Sequence, residues 1–232
     1  MSEPLLEANA IRVCYGESEV IGRLSFSAQK DEILALMGLN GMGKTTVMKA
    51  MIGLLPLRGG KLSLGGQDLT RAAPFERVAS GLAYVPQGRM VFPTLTVEEN
   101  IQAGLPRSVR QVPAELYGFF PVLKEMRKRR AGNLSGGQQQ QLVIARALAS
   151  NPKVLLLDEP TEGIQPSIIK DLAQQLKKIR DERGLTIIVS EQVLSFALAV
   201  ADRIAVMVRG ALVHEAPRAD LNEASLGKLL AI

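Results

Sequence analysis

The chain has 232 residues, of which 47% are apolar and 22% charged, with a formal charge of +5. This composition excludes intrinsic disorder and indicates one globular domain. A single cysteine excludes an internal disulfide, and a single histidine, His214, argues against histidine-ligated metal sites and histidine-based triads. No apolar run approaches the ~20 residues that span a bilayer, and residues 1–9 lack the pattern of a secretory signal.

Short apolar runs alternate with helical patterns along the chain. Residues 5–15 and 20–28 mix apolar and polar positions, as half-buried antiparallel strands do. Later runs are continuously apolar, which predicts a parallel sheet buried on both faces; they are residues 33–37, 82–85, 154–157, 186–189 and 204–208. Residues 44–54 and the stripe from Ile168 to Ile179 predict helices. The expected fold class is therefore α/β.

The middle of the chain has a different character. Residues 88–150 contain many prolines and glycines between short helical pieces. We predict a mostly helical subdomain there, inserted into a catalytic core formed by residues 1–87 and 151–232. Together they form a single predicted domain, 1–232.

A glycine-rich loop follows the first continuous apolar run. The loop fits G-x-x-x-x-G-K-[ST] at every fixed position and consists of Gly38, Leu39, Asn40, Gly41, Met42, Gly43, Lys44 and Thr45. Glycines allow several amides to point at one anion, and the helix that follows adds its positive end. Lys44 is expected to bind the β- and γ-phosphates of a nucleotide, and the hydroxyl of Thr45 to bind Mg²⁺. Thr46, the next residue, is included in the predicted nucleotide site.

Two carboxylates end the apolar run at residues 154–157. Asp158 and Glu159 lie where open α/β sheets bind ligands. Adjacent carboxylates are costly without a nearby cation, which favours a functional role. We expect Asp158 to hold Mg²⁺ and Glu159 to polarise a water molecule that attacks the γ-phosphate.

The segment Leu134-Ser135-Gly136-Gly137-Gln138 resembles the signature sequence of ATP-binding cassette (ABC) ATPases. Ser135 and Gln138 have the spacing of a capping box, which predicts a helix over residues 139–149 with exposed amides at its start. The start of this helix would be a second phosphate-binding helix end in the same chain, which is explained if it binds ATP held by a partner subunit. The chain lacks the Asn-Lys-x-Asp motif expected of a switch GTPase.

The resemblance implies a P-loop NTPase fold with a RecA-like mixed-sheet core, an N-terminal antiparallel β subdomain and a helical subdomain. It implies that Tyr15 stacks on adenine and that Glu159 is the catalytic base. Gln87 would sense Mg²⁺ and the attacking water. The implied metal ligands are Thr45, Gln87 and Asp158, and the implied cofactors are ATP and Mg²⁺. Residues 161–166 would cross to a second ATPase subunit, expected to be a paralogue, or a second copy in isolation.

Two positions depart from the common family pattern. Gln192 stands where many members have a histidine, and Gln165 replaces an aspartate of the crossing loop. Gln192 is expected to be a catalytic residue that hydrogen-bonds to the γ-phosphate, although a glutamine cannot carry a proton charge. The pair Glu191-Gln192 resembles ATPases of branched-chain amino acid importers. Five other segments most resemble the ATPase of bacterial urea importers: residues 84–89, 110–113, 138–141, 161–167 and 230–232. Urea or short amides are the expected solutes, with branched-chain amino acids as the alternative.

The resemblance also implies membrane partners. These are two permease subunits and, through them, a periplasmic or extracellular solute-binding protein, with this chain at the cytoplasmic face of the inner membrane. Residues 88–100 would face the permease, although Met90, Val91 and Phe92 could instead pack inside the helical subdomain. The rival classes are an ABC ATPase acting on nucleic acid or ribosomes, a lipopolysaccharide exporter and a binding regulator without turnover. No nucleic-acid partner is expected.

Overall fold

The structure is a computed structural model that describes residues 3–230 of the chain. Its strands are, in chain order, β1 (Leu6–Tyr15), β2 (Ser18–Ala28), β3 (Ile33–Met37), β4 (Gly59–Leu64), β5 (Gln67–Asp68), β6 (Leu82–Val85), β7 (Val154–Asp158), β8 (Thr186–Glu191), β9 (Arg203–Val208) and β10 (Ala211–Pro217). Its α-helices are α1 (Lys44–Ile52), α2 (Pro74–Ser80), α3 (Val97–Gln102), α4 (Ala114–Phe119), α5 (Pro121–Glu125), α6 (Gly136–Leu148), α7 (Pro166–Arg183), α8 (Leu194–Val200) and α9 (Glu223–Leu230).

The strands form two sheets. One has four strands in the order β2-β1-β4-β5, with every neighbouring pair antiparallel. The other has six strands in the order β10-β9-β3-β8-β7-β6 and is parallel except for its β9–β10 edge. This architecture confirms the predicted α/β class, with a mixed sheet and an antiparallel N-terminal part.

The six-stranded sheet is buried on both faces, which explains the continuous apolar runs. In β3, Ile33, Ala35 and Met37 join a core that contains the buried faces of α6 and α7. The alternate residues Leu34 and Leu36 join a second core, formed with α1 and the antiparallel sheet. Helix α1 therefore lies between the two sheets, which fixes the direction of its N terminus.

Several expected element boundaries shift by a few residues. Helix α1 ends at Ile52 because Gly53, with φ of +88°, caps it in the left-handed region. The signature helix α6 begins at Gly136, three residues before the expected start. The edge strand β10 contains His214 and extends to Pro217. Between β6 and β7, the regular elements of the described chain are α3 to α6 and one short 3-10 turn, Ala131–Asn133. Within residues 3–230, no helix is long and apolar enough to cross a membrane.

Candidate nucleotide site

The loop between β3 and α1 is tightly packed at its glycines. Gly43 has φ of +96°, and a β-carbon there would lie 2.8 Å from Cδ1 of Ile21. A β-carbon on Gly38 would lie 2.8 Å from the carbonyl oxygen of Met207. Larger residues at these positions would push the loop away from strands β2 and β9. The glycines thus let the loop curl over the N terminus of α1, whose amides carry positive partial charge.

Lys44, the first residue of α1, reaches back beneath this loop. Its Nζ donates hydrogen bonds to the carbonyl oxygens of Gly38 and Leu39, at 2.8 and 3.0 Å. It also lies 3.0 Å from Oε1 of Glu159, and only 3% of the lysine side chain is exposed. The ammonium group therefore meets a carboxylate inside the protein, at the base of the loop.

Asp158 ends β7 and is 1% exposed. Its Oδ1 accepts hydrogen bonds from Oγ of Ser190 at 2.6 Å and Oγ1 of Thr45 at 3.1 Å, and its Oδ2 accepts one from the Tyr84 hydroxyl at 3.1 Å. Burial raises the pKa of Asp158, while these hydrogen bonds oppose the shift. A carboxylate and a hydroxyl that share one hydrogen bond are oxygen donors of the kind Mg²⁺ binds.

Glu159 follows in a left-handed conformation, with φ of +46°. Its backbone N–H donates to the carbonyl oxygen of Ser190 at 3.1 Å, which holds this uncommon geometry. The turn directs its 7%-exposed side chain toward Lys44, and Nε2 of Gln87 lies 3.4 Å from its Oε2. A carboxylate, a cation and an amide therefore converge from three separate elements.

Lys44, Gln87 and Glu159 line a cavity of about 310 Å³, whereas Asp158 does not line it. The lining consists of Val20 and eight predicted site residues: Asn40, Gly41, Gly43, Lys44, Thr45, Thr46, Gln87 and Glu159. Gly38 and Leu39 contribute the carbonyls that bind Lys44, and Met42 Sδ accepts a hydrogen bond from the Arg209 amide at 3.2 Å. A larger cavity of about 790 Å³, beside β5 and α2, is lined by none of the predicted site residues.

The remaining predicted residues do not line the 310 Å³ cavity of the described chain. Tyr15 ends β1 beside the β1–β2 turn and is 47% exposed. Gln192 follows β8, where its backbone N–H donates to Oε1 of Glu191 at 2.8 Å. The signature residues 134–138 lie at the start of α6. The signature therefore does not line the cavity at the glycine loop of its own chain.

The signature does form the predicted capping box. Oγ of Ser135 accepts a hydrogen bond from the Gln138 amide at 3.3 Å, and Oε1 of Gln138 accepts one from the Ser135 amide at 3.0 Å. Packing supplies a further reason for the glycines. A β-carbon on Gly137 would lie 2.8 Å from Ile168 of α7, and one on Gly136 would lie 3.0 Å from the Arg89 guanidinium. Leu134, just before the cap, is 7% exposed.

Sequence reasoning assigned no role to several polar residues around the two carboxylates. Tyr84 and Ser190 lie on strands β6 and β8, on either side of β7, and both contact Asp158. Glu191, which ends β8, accepts a hydrogen bond from Oγ1 of Thr161. Burial raises the pKa values of Glu191 and Tyr84. A polar residue near the carboxyl end of an apolar parallel strand is the signal that could have identified them.

We expect the Tyr84→Phe substitution to lower the free energy of unfolding by about 1–2 kcal/mol, since a buried carboxylate loses a hydrogen-bond donor. Tyr117→Phe is the matched control, because the Tyr117 hydroxyl is buried without a hydrogen-bond partner in the described structure. We expect this control to leave stability unchanged or slightly increased. Urea denaturation of both variants tests the comparison, and equal losses would contradict it.

Comparisons with known proteins identify the family to which the chain belongs. Residues 21–162 match the family model described as ABC transporter. The chain is 37% identical to the high-affinity branched-chain amino acid transport ATP-binding protein of Pseudomonas aeruginosa, over 90% of this chain and 91% of the relative. It is 34% identical to a probable branched-chain amino acid transport ATP-binding protein of Archaeoglobus fulgidus, over 89% of both chains.

A solved structure has the same fold. The crystal structure of a nucleotide-free ATP-binding cassette from an ABC transporter superposes with a TM-score of 0.86 and 25% identity, covering 99% of this chain and 96% of that one. The family model, the relatives and this structure all match the chain that carries the glycine loop, Asp158 and Glu159. The chain therefore belongs to the ABC transporter family of ATP-binding proteins, and it is an ATPase.

Proposed function

We propose that this chain is the ATP-hydrolysing subunit of a membrane importer for branched-chain amino acids. The observation that carries the ATPase part is the 3.0 Å contact between Lys44 and Glu159 at the base of the glycine loop. The solute class is supported by the printed names of the two relatives above. Those names favour branched-chain amino acids over urea as the solute. Urea import stays a prediction from sequence resemblance.

The residues of the cavity suggest how hydrolysis proceeds. The triphosphate of ATP binds the loop amides, and Lys44 exchanges its contact with Glu159 for phosphate oxygens. Glu159 is then free to accept a proton from the attacking water. The water oxygen bonds to the γ-phosphorus, the bond from that phosphorus to the bridging oxygen of ADP breaks, and ADP and inorganic phosphate leave. Gln87, 3.4 Å from Glu159, orients the water.

The same site suits Mg²⁺. The residues proposed to hold it are Thr45, Asp158 and Gln87, which offer hydroxyl, carboxylate and amide oxygens. The fit rests on the 3.1 Å contact between Thr45 and Asp158, which places two of these donors together beside the phosphate loop. When bound there, Mg²⁺ neutralises charge on the phosphates during transfer.

We infer that a second ATPase subunit completes the site. Ser135 is exposed and the signature does not line the cavity of its own chain, which supports binding to ATP on a second subunit. The loop at residues 161–166 would cross between the subunits, with Glu162, Gly163 and Gln165 exposed. Tyr15, exposed at the β1–β2 turn, is proposed to stack on adenine. The second subunit is proposed to be a paralogue, with a second copy as the form in isolation.

The segment 88–100 is proposed to bind the permease. Met90 is 63% exposed and Phe92 46% exposed, while Val91 is half-buried against the core. Arg146 donates to the carbonyl oxygen of Met90 at 2.7 Å and lies 4.7 Å from the centre of the Phe92 ring. Two apolar side chains are thus held at the surface by one arginine, which suits contact with cytoplasmic helices of two permease subunits. The chain would then lie peripherally at the cytoplasmic face of the inner membrane.

The Met90→Ser substitution should lower solute uptake about tenfold, because loss of an apolar interface anchor costs about 1–2 kcal/mol of binding. Val213→Ser is the control, since Val213 is also exposed, at 51%, but lies on β10. Uptake into vesicles and copurification of the permease measure the effect. Equal uptake by the two variants would contradict this docking surface.

The solute is tested in the complete transporter. The complex is purified with its solute-binding protein and placed in a bilayer. Its rate of ATP turnover is then measured in the presence of leucine, of urea and of short amides, and the rates are compared. Stimulation by leucine supports the proposal. Stimulation by urea or short amides but not leucine overturns it in favour of the urea-type reading.

A further inference from the structure

Glu191 is a buried carboxylate that the hydrolysis mechanism above does not use. It ends β8 and is 1% exposed. Among the described residues, no cationic side chain forms a salt bridge with it. Three hydrogen bonds satisfy it instead, from Oγ1 of Thr161 at 2.7 Å and from the amides of Gln192 and Val193 at 2.8 and 3.1 Å. Burying an ionisable group costs free energy unless it is hydrogen-bonded, and here both side-chain oxygens accept hydrogen bonds that fix their positions.

These bonds join segments that are far apart in the sequence. Oε2 of Glu191 binds Thr161, which opens the loop 161–166, while Oε1 binds the turn that carries Gln192. The backbone carbonyl oxygen of Glu191 accepts a hydrogen bond from the amide of Gly38, the first residue of the phosphate loop, at 3.1 Å. One residue therefore contacts the phosphate loop, the turn after β8 and the loop proposed to face the second subunit.

We propose that Glu191 is a positioning residue that couples the turn at Gln192 to the loop 161–166. When ATP binds, contact between the turn and the γ-phosphate displaces or fixes the turn, and the carboxylate transmits that position to Thr161. Gln192 cannot change its charge by protonation, so the signal passes through geometry. The inference rests on the proposed function, in which ATP binds the glycine loop and the loop 161–166 meets the second subunit, and on the expectation from sequence resemblance that Gln192 contacts the γ-phosphate.

The coupling depends on one side-chain hydroxyl. Thr161 is 4% exposed, and its Oγ1 to Glu191 contact is the only hydrogen bond between the loop and this carboxylate in the described structure. A displacement of the turn by about 1 Å would lengthen a 2.7 Å bond beyond hydrogen-bonding range unless the loop follows. Thr161→Val removes the donor while it keeps the branched shape, and Thr161→Ser keeps the donor.

The test measures ATP turnover of the complete transporter in a bilayer over a range of ATP concentrations. Thr161→Val should reduce maximal turnover about tenfold and lower the Hill coefficient toward 1, with half-saturating ATP nearly unchanged. The melting temperature should fall by several degrees, because a buried carboxylate loses a hydrogen-bond donor. Thr161→Ser should retain turnover and Hill coefficient within about twofold of wild type. Glu191→Leu, which removes both acceptor oxygens, should lose maximal turnover and cooperativity to the same extent as Thr161→Val, and the double variant should lose no more than Glu191→Leu alone.

Failure of this inference can be distinguished from failure of the proposed function. Cooperative wild-type turnover that Thr161→Val leaves unchanged would overturn the inference alone. An equal loss in Thr161→Ser, or a loss of turnover with an unchanged Hill coefficient, would assign the pair a structural role and also overturn it. Wild-type turnover that is absent or not cooperative in ATP would overturn the proposed two-site function, and the inference with it.

Discussion

Replacing Glu159 with glutamine is expected to leave ATP bound and to slow its hydrolysis by about 100-fold or more, since a general base contributes that much. Glutamine keeps the size of the side chain and can still contact Gln87, but its amide cannot accept the proton of the attacking water. The substitution also removes the carboxylate that holds Lys44 at 3.0 Å. We therefore expect ATP affinity to stay the same or to increase.

Hydrolysis is measured as phosphate release, and binding by titration with ATP, in the same preparation. Glu182→Gln is the matched control, because Glu182 is a 52%-exposed carboxylate with a lysine partner, Lys178, at 3.8 Å. An exposed ion pair of this kind contributes less than about 1 kcal/mol, so the control should behave as wild type. Near-normal hydrolysis by Glu159→Gln would remove the proposed base.

The sequence predicted the core of the fold well because its signals are local. Continuous apolar runs identify strands buried on two faces, and Ile33–Met37 is fully buried. The start of α6 was placed three residues late for a physical reason. Gly136 and Gly137 are poor helix formers, so the pattern resembles a loop, yet Ser135 caps the helix and the two glycines allow close packing on Ile168 and Arg89.

The contacts within the site were less predictable because they depend on strand order. Tyr84, Ser190 and Glu191 become neighbours of the carboxylates of Asp158 and Glu159 only because β6 and β8 flank β7. No spacing along the chain encodes that order. The ion pair between Lys44 and Glu159 likewise arises from the left-handed backbone at Glu159, which directs the side chain back toward the loop. The sequence pattern assigned both residues to ATP and did not predict that they contact each other.

Replacing Lys44 with alanine is expected to abolish ATP turnover and to destabilise the fold, for two separate reasons. The loop loses the cation that binds the phosphates, which costs about 2–5 kcal/mol of ATP binding. In the free protein, the substitution leaves Glu159, with 6% of its side chain exposed, without its ion-pair partner. Breaking a buried ion pair from one side costs about 3–5 kcal/mol of stability.

A double variant separates these two effects. Adding Glu159→Gln to Lys44→Ala removes the unpaired charge, so most of the lost stability should return while turnover stays absent. Lys178→Ala is the control for removing a lysine from an ion pair that is 52% exposed on both sides, and its cost should stay below about 1 kcal/mol. Urea denaturation measures stability. If Lys44→Ala is no less stable than Lys178→Ala, the ion pair does not stabilise the free protein. If ATP turnover survives Lys44→Ala, Lys44 does not bind the phosphates as proposed.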